Sequence, residues 1–307
     1  MLKSFTVFRL PPGWKSPGAA AFAETLSRFE FRTCGPTERV TAGWVPPRGL
    51  AHAPLAENVN GQILMKLMVE TRLLPSSAVR ADLDERLDAL EAQTGRRPRG
   101  RAKKELKEQI EHELLPRAFT RKTATLIWLN PKARLVVLGT TTAKTVDLVI
   151  AEMTRAFEDR LILQPLHTAL SPAVAMATWL LEQTPPQGFG FDRDCELRTP
   201  DDTKATVRYV RHGLDNDGVV QHIQAGKVPV QLGMSWSDKL SFVLTDEMRV
   251  KRLKFLDVEA TSGGADSKQD KDEAFDGDAA LMTGELSQML GDLLDALGGE
   301  APLAAAA

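Results

Sequence analysis

The chain of 307 residues has little of what marks several large protein classes. Its two cysteines, Cys34 and Cys195, are far apart and form no CxxC pair, which excludes a disulfide framework and a cysteine-based zinc site. Aromatic residues make up 6% of the chain and include one tyrosine, too few for a platform on which successive bases stack. Thiols without a pairing pattern are typical of the reducing cytosol.

Long apolar segments are also missing. No run reaches the roughly 20 apolar residues that a transmembrane helix needs. Polar residues alternate through the first ten positions and include Arg9, so no secretory signal is expected there. We therefore expect a cytoplasmic protein with no membrane partner.

The motifs of common enzymes are absent from the sequence too. Lys227 follows Gly226, but the earlier glycine and the Ser or Thr of a phosphate-binding loop are missing. The five histidines have no metal-ligand spacing, and no GxSxG segment marks a hydrolase nucleophile. The acidic segment 272–283 ends in Thr283 instead of the bidentate glutamate of a calcium loop. The sequence predicts a protein that is not an enzyme and needs no metal or cofactor.

Charge is present but segregated. From Asp257 to the end there are twelve acids and two bases, whereas the first 256 residues hold 37 bases and 29 acids, a net charge of +8. A basic body with an acidic tail is typical of a protein with a polyanionic partner. Ordinary surface charge with a solubilising tail would give the same balance, so the argument depends on particular clusters.

The densest cluster of cations lies in a predicted helical hairpin. Apolar stripes over 79–90 and 106–114 predict two amphipathic helices, and Pro98 interrupts the segment between them. Several cations fall at the start of the second helix, where the helix dipole disfavours positive charge. We expect contacts with phosphate to offset that cost; a solvated loop is the alternative. The cations are Arg96, Arg97, Arg99, Arg101, Lys103, Lys104 and Lys107.

A second basic set falls in the last of three strands that alternation predicts over 228–256. It consists of Arg249, Lys251, Arg252 and Lys254, of which Arg252 and Lys254 would share a face. A charge-protected edge strand has the same pattern. No helix-turn-helix or zinc finger is recognisable, so a bound nucleic acid would be contacted through its backbone.

Three alternating carboxylates support a different hypothesis. Asp192, Asp194 and Glu196 would lie on one face of a strand, as the metal site of a nuclease requires. Arg193 and Arg198 nearby indicate instead a solvated face with paired charges. We prefer the solvated face and keep a metal-dependent nuclease as the alternative function.

The element patterns favour an α+β fold with mixed, largely antiparallel sheets, because strands and helices follow one another without steady alternation. Strands are predicted at 2–10 and 63–69, a helix from Ser16-Pro17, and a β-hairpin over 126–138. Further helices are expected at 143–157, from Ser171 and at 216–224, and strands at 161–163, 191–197 and 205–210. Residues 261–277 are predicted to be a linker before a last amphipathic helix over 286–297.

Seven collinear segments closely resemble one family, the bacterial recombination-associated protein RdgC family. They occur in the family's order and extend over almost the whole chain. The segments are GWVPP at 43–47, NGQI at 60–63, LLPRAF at 114–119, QGF at 187–189, HIQAGK at 222–227, KRLKF at 251–255 and LMTGEL at 281–286.

The resemblance implies a crescent-shaped subunit with a projecting helical tip, a ring-shaped homodimer with a positively charged hole, and binding of duplex DNA without sequence preference. It also implies a nucleoid location and restraint of recombinase filament assembly, with no catalysis. In the family, basic residues at the positions of Arg96 and Arg211 lie near the tip and the DNA-facing region. Phe119 matches the family's hydrophobic contact between subunits at the tip, and an ordinary core phenylalanine is the other interpretation.

These indications divide the chain into four parts: 1–75 and 118–170 as two pieces of a central α+β region, 76–117 as the tip, and 171–307 as a C-terminal α+β region. A third hypothesis makes the acidic C-terminal region the working surface of a protein-interaction adaptor. A compact subunit, with a radius of gyration of about 19 Å, is too small to surround a duplex, whereas two arc-shaped subunits can close around it. The predicted DNA contacts are Arg96, Arg97, Arg99, Arg101, Lys103, Lys104, Arg211, Lys227, Lys251, Arg252 and Lys254.

Overall fold

The computed structural model describes residues 1–214, 217–256 and 268–301, and within them it contains twelve strands and seven α-helices. The strands are β1 (Phe5–Arg9), β2 (Val40–Val45), β3 (Ala56–Val59), β4 (Gln62–Leu73), β5 (Phe119–Asn130), β6 (Leu135–Leu138), β7 (Gln164–Pro165), β8 (Phe189–Arg198), β9 (Thr206–Tyr209), β10 (Val228–Trp236), β11 (Leu240–Thr245) and β12 (Arg249–Phe255). The helices are α1 (Ala19–Leu26), α2 (Ser76–Thr94), α3 (Gly100–Leu114), α4 (Ala143–Phe157), α5 (Pro172–Leu181), α6 (Asp217–Gln224) and α7 (Lys268–Ala296).

All twelve strands join one sheet, in the order β2-β4-β5-β6-β1-β12-β11-β10-β8-β9, with β3 beside β4 and β7 beside β1. Every pairing between two of these strands is antiparallel, and β10, β11 and β12 form the predicted three-stranded meander. The first strand connects the two halves of the sheet, since β1 pairs with β6 on one side and with β12 on the other. The prediction of a mixed, largely antiparallel α+β fold is confirmed.

Alternation along the strands sends side chains into two cores on opposite faces of the sheet. Phe5 and Val7 of β1 enter the core that α5, α6 and α7 complete, whereas Phe8 enters the core that α1 and α4 complete. Leu286, Leu290 and Leu293 of α7 are fully buried, and so is Leu297, which follows the helix. α7 is therefore part of the core and not an independent acidic segment, so a deletion of residues 259–307 would remove core packing instead of isolating an adaptor surface.

The predicted helical hairpin is present as α2 and α3, and it has a small core of its own, formed by Val79, Leu83, Leu87 and Ile110. α2 ends before Gly95, whose left-handed φ of 70° closes the helix. The hairpin is inserted between β4 and β5, which pair without a break as far as Leu73 opposite Phe119. The insertion thus begins and ends at neighbouring residues of the sheet.

Two predicted element positions are wrong. α1 begins at Ala19 and not at Ser16-Pro17, because Gly18 before it has a φ of 89° and an extended ψ, which a helix does not allow. Residues 161–163 form no strand; the short strand that pairs with β1 is β7, which begins at Gln164. The apolar residues at 161 and 163 reflect packing in the second core instead.

The predicted linker is wrong over 268–277, which belong to α7, whereas 261–267 lie outside the described residues. Phe275 packs against the core at this end of α7, so one aromatic residue extends the helix into an otherwise polar segment. In the described part of the chain no helix combines the length and apolarity needed to span a bilayer. The division into four parts stays a prediction.

Candidate functional site

We call residues 96–107, which include the connection between α2 and α3 and the first turns of α3, the basic turn. Its seven cations are exposed, but several of them face a carboxylate. Arg97 forms ion pairs with Asp88 and Glu91 of α2, and hydrogen bonds from its guanidinium to these two carboxylates raise its pKa. Arg101, Lys104 and Lys107 each face a glutamate four residues further along α3. Such exposed pairs are weak, yet they lower the net charge that this part of the turn presents.

The remaining cations of the turn are Arg96, Arg99 and Lys103. No carboxylate within residues 1–214, 217–256 and 268–301 forms an ion pair with any of the three. Arg99 is the N-cap residue of α3, where the positive end of the helix dipole repels a guanidinium. The structure therefore places the uncompensated charge of the turn on these three side chains.

Phe119 is the first residue of β5, and its side chain is 86% exposed. The interpretation of Phe119 as an ordinary core residue is therefore wrong. Leu73 lies directly opposite in β4 and is also exposed, so the two form a small apolar surface at the base of the helical hairpin. Arg121 and Lys122 follow at exposed positions of β5. Sequence reasoning missed both, because the strand was predicted to begin only at Leu126.

The C-terminal half of the sheet, β8 to β12, has one apolar and one polar face. α5, α6 and α7 cover the first face, and no hydrophobic cluster forms on the second face in the part of the chain that the structure describes. We call this second face the open face. It carries the three carboxylates of β8, as their alternation predicted, and also most of the second basic set, which was not predicted to share a face with them.

A β-bulge brings extra cations to the open face. Val250 and Leu253 of β12 are both buried in the core although they are three positions apart, which requires one additional residue between them. The pairing with β11 shifts at this point, and Arg252 has a left-handed φ of 51°. Arg252 and Lys254 are both exposed on the open face, so they share a face as predicted, but a bulge and not simple alternation places them there.

Glu196 is the most buried charged group of the open face, with a side chain only 7% exposed. Its Oε2 accepts hydrogen bonds from Nε and Nη2 of Arg208 at 3.0 and 2.7 Å, and its Oε1 accepts one from Nη2 of Arg198 at 3.0 Å. Burial acts to raise the pKa of Glu196, but the hydrogen bonds from Arg208 and Arg198 outweigh it, so that the pKa is lowered. Glu196 is therefore held as a carboxylate.

Asp194 lies beside Glu196 on the open face and is bound by one arginine side chain and one backbone amide. Its Oδ2 accepts a hydrogen bond from Nη1 of Arg252 at 2.7 Å, and its Oδ1 accepts one from the backbone N–H of Arg211 at 3.0 Å. Asp192 accepts a hydrogen bond from the hydroxyl of Ser241 at 3.2 Å. Among the described residues, no group of three or more His, Cys, Asp or Glu is arranged to hold a metal ion.

The open face contains a cleft of about 270 Å³, lined by Asp194, Glu196, Arg208, Tyr209, Gln231 and Arg252. It forms where β8 bulges over Gly233 of β10, since the pairing of the two strands shifts between Leu232 and Met234. A Cβ at Gly233 would lie 3.1 Å from the carbonyl oxygen of Asp194. Because Gly233 has no side chain, the bulged part of β8 around Asp194 can lie close to β10.

Two further predicted cations lie next to residues of the open face. Arg211 follows β9 and meets Asp194 through its backbone, and Lys227 precedes Val228, which pairs with Arg198. Arg198 and Arg208 were not among the predicted contacts. Arg208 pairs directly with Glu196 across β8 and β9, so a correct strand register would have found it; the sequence shows the two strands but not their register.

The structure is that of an α+β protein with one antiparallel sheet and two cationic surfaces. One surface is the end of the inserted helical hairpin, and the other is the open face with its arginines. The profile of the RdgC family, described as "Putative exonuclease, RdgC", matches residues 1–300. The chain therefore belongs to the RdgC family.

Individual relatives agree with this assignment over nearly their whole length. A protein of Dechloromonas aromatica (strain RCB) is 42% identical over 301 residues, which are 97% of this chain and 97% of the relative. A protein of Janthinobacterium sp. (strain Marseille) is 40% identical, and one of Bordetella pertussis is 38% identical; each alignment covers 97% of this chain and 98% of the relative. All three relatives are named "Recombination-associated protein RdgC".

Proposed function

We propose that this protein binds double-stranded DNA without sequence preference, closes around it as a ring-shaped homodimer, and restrains recombinase-dependent homologous recombination. Membership of the RdgC family and the name of its relatives support the link with recombination. The protein acts in the cytoplasm on the nucleoid, and its partners are duplex DNA, a second copy of itself and a recombinase filament. The proposal includes no catalytic step and no cofactor.

The observation that carries this proposal is the pair of cationic surfaces. Three uncompensated cations end the helical hairpin, and three arginines cover buried or half-buried carboxylates on the open face. Cations on a strand face and in a turn suit the phosphates of a duplex, and they provide no pattern of donors and acceptors for reading bases. Binding through the backbone is the expected consequence.

The proposed dimer contact involves Phe119 and Leu73. An aromatic side chain that is 86% exposed is costly in a monomer, and its apolar neighbour enlarges the patch. A second copy that presents the same patch would cover both in a contact with two-fold symmetry. Two such subunits, joined at both ends, would leave a hole for the duplex.

The test of DNA binding is a salt titration. Affinity for a duplex should fall by about a thousandfold or more between about 50 and 200 mM salt if six to ten phosphates are neutralised. Duplexes of the same length and unrelated sequence should compete equally. An affinity that does not change with salt, or a strong preference for one sequence, would contradict binding through the backbone.

A metal-dependent nuclease remains the second candidate, because the family profile carries the word exonuclease and three carboxylates share the open face. The ion pairs of Asp194 and Glu196 with arginines disfavour it, since a metal would have to displace them. Plasmid and linear DNA incubated with Mg²⁺ separate the two functions. Degradation that Asp194→Asn abolishes would establish the nuclease, whereas a shift of intact DNA supports the binding protein.

A further inference from the structure

The three arginines of the open face are held by carboxylates that lie beneath them. The side chain of Glu196 is 7% exposed, whereas those of Arg198 and Arg208 are 40% and 64% exposed. Asp194 has the same relation to Arg252, with side chains 22% and 59% exposed. In these three ion pairs the arginine is therefore the more exposed partner, and the carboxylate lies beneath it.

Each guanidinium keeps free donors after these contacts. Arginine has five N–H groups, and Glu196 accepts from two nitrogen atoms of Arg208 and from one of Arg198. Glu196 itself is almost completely covered and uses only some of the N–H groups of the two arginines. An arginine fixed in this way loses less rotamer freedom when it binds a phosphate than one that moves freely in solvent.

We propose that Glu196 and Asp194 are positioning residues, which hold Arg198, Arg208 and Arg252 ready to contact backbone phosphates of duplex DNA. This inference rests on the proposed function and adds Arg198 and Arg208 to the contact surface. It also gives the carboxylates of β8 a role other than metal binding. They act through the arginines and do not touch the DNA.

The sign of a mutational effect tests the proposal. Glu196→Gln removes a negative charge from a DNA-binding face, so long-range electrostatics alone predicts tighter binding. If Glu196 positions the arginines, Glu196→Gln should instead weaken binding at least about fivefold, since two rotamer-rich side chains must then be ordered on association. The slope of log affinity against log salt should become shallower by about one for each phosphate that is no longer neutralised.

Asp194→Asn repeats the test through a different arginine, Arg252, and decides the outcome if Glu196→Gln does not fold. Glu57→Gln is the matched control, because Glu57 is also buried and accepts two hydrogen bonds from one arginine, Arg48, outside the open face. The control should lose stability without a weaker affinity for DNA. Thermal unfolding of all three variants separates a loss of fold from a loss of positioning.

Unchanged or tighter binding by folded Glu196→Gln and Asp194→Asn would overturn this inference and leave the proposed function intact. If the unmodified protein does not bind duplex DNA at all, the proposed function fails first. Weaker binding by both variants, together with unchanged affinity of the Glu57 control, supports the positioning role.

Discussion

Gly43 shows how packing determines one residue of the GWVPP segment at 43–47. A Cβ at this position of β2 would lie 2.4 Å from Cα of Phe31 and 2.8 Å from the carbonyl oxygen of Glu30. The backbone at 30–31 approaches β2 this closely because Glu30 forms a bridge with Trp44, whose side chain is buried. Glycine is therefore required at position 43 by close approach of the backbone, not by a turn.

Gly43→Ala should lower the free energy of unfolding by about 2 kcal/mol, since backbone atoms of Phe31 have to move to admit a methyl group. Gly284→Ala in α7 is the control, because a Cβ there meets nothing within 4 Å. The control should raise stability by up to about 1 kcal/mol through helix propensity. Urea unfolding measures both variants, and equal stabilities would contradict the packing argument.

At the level of single residues, the sequence predicted which side chains of one strand share a face, but it did not predict which residues of two strands lie opposite each other. The alternation of Asp192, Asp194 and Glu196 correctly placed three carboxylates on one face. The partner of Glu196, Arg208, could not be found, because the pairing of β8 with β9 depends on contacts over the whole sheet. The exposure of Phe119 was likewise left open, since an isolated phenylalanine has no pattern around it.

At the scale of elements, long periodic segments were predicted well and interrupted ones were not. α2, α3 and α4 follow their apolar stripes, and the meander β10–β11–β12 follows its alternation. The bulge at Arg252 could not be predicted, because it depends on a left-handed backbone at a residue type that seldom adopts it. The start of α7 was missed because most of its first turns are polar.

The basic turn allows a comparison of two variants, each of which loses three positive charges. Replacing Arg96, Arg99 and Lys103 by glutamine removes three uncompensated cations, and replacing Arg101, Lys104 and Lys107 by glutamine removes three that face a glutamate. If the first set contacts phosphate, its removal should weaken binding more and should reduce the salt slope by about two to three. The salt slope of each variant is measured by titration with a fixed duplex.

Equal losses of affinity in these two variants would mean that the turn acts only through its net charge. Thermal stability should fall more in the second variant, because three helical pairs at i,i+4 are removed, each contributing about 0.3 to 0.5 kcal/mol. A binding loss that is larger in the second variant would contradict the assignment of Arg96, Arg99 and Lys103 as the contact set.

At the scale of the whole molecule, encirclement predicts a topological effect. A ring leaves a linear duplex by sliding off an end, but it must open an interface to leave a closed circle. Dissociation in high salt should therefore be slower from circular DNA than from linear DNA of equal length. Rates measured by dilution into competitor decide the question, and identical rates for the unmodified protein would rule out the ring.

Phe119→Ala should reduce this difference between circle and line, because the loss of an aromatic anchor in an interface commonly costs about 2 kcal/mol or more. The melting temperature of the dilute protein should change little, since the side chain is 86% exposed in a single subunit. A large fall in stability without any change in dissociation would mean that Phe119 supports the fold and not the contact.

The insertion of the helical hairpin has a consequence for how this architecture can vary. Leu73 and Phe119 face each other across β4 and β5, so the whole excursion from 74 to 118 begins and ends where a tight turn would otherwise be. Residues can be added or removed within this segment without a change in the register of β4 and β5. Insertions and deletions within the hairpin should therefore cost little stability. The length of the hairpin can change independently of the sheet that carries it.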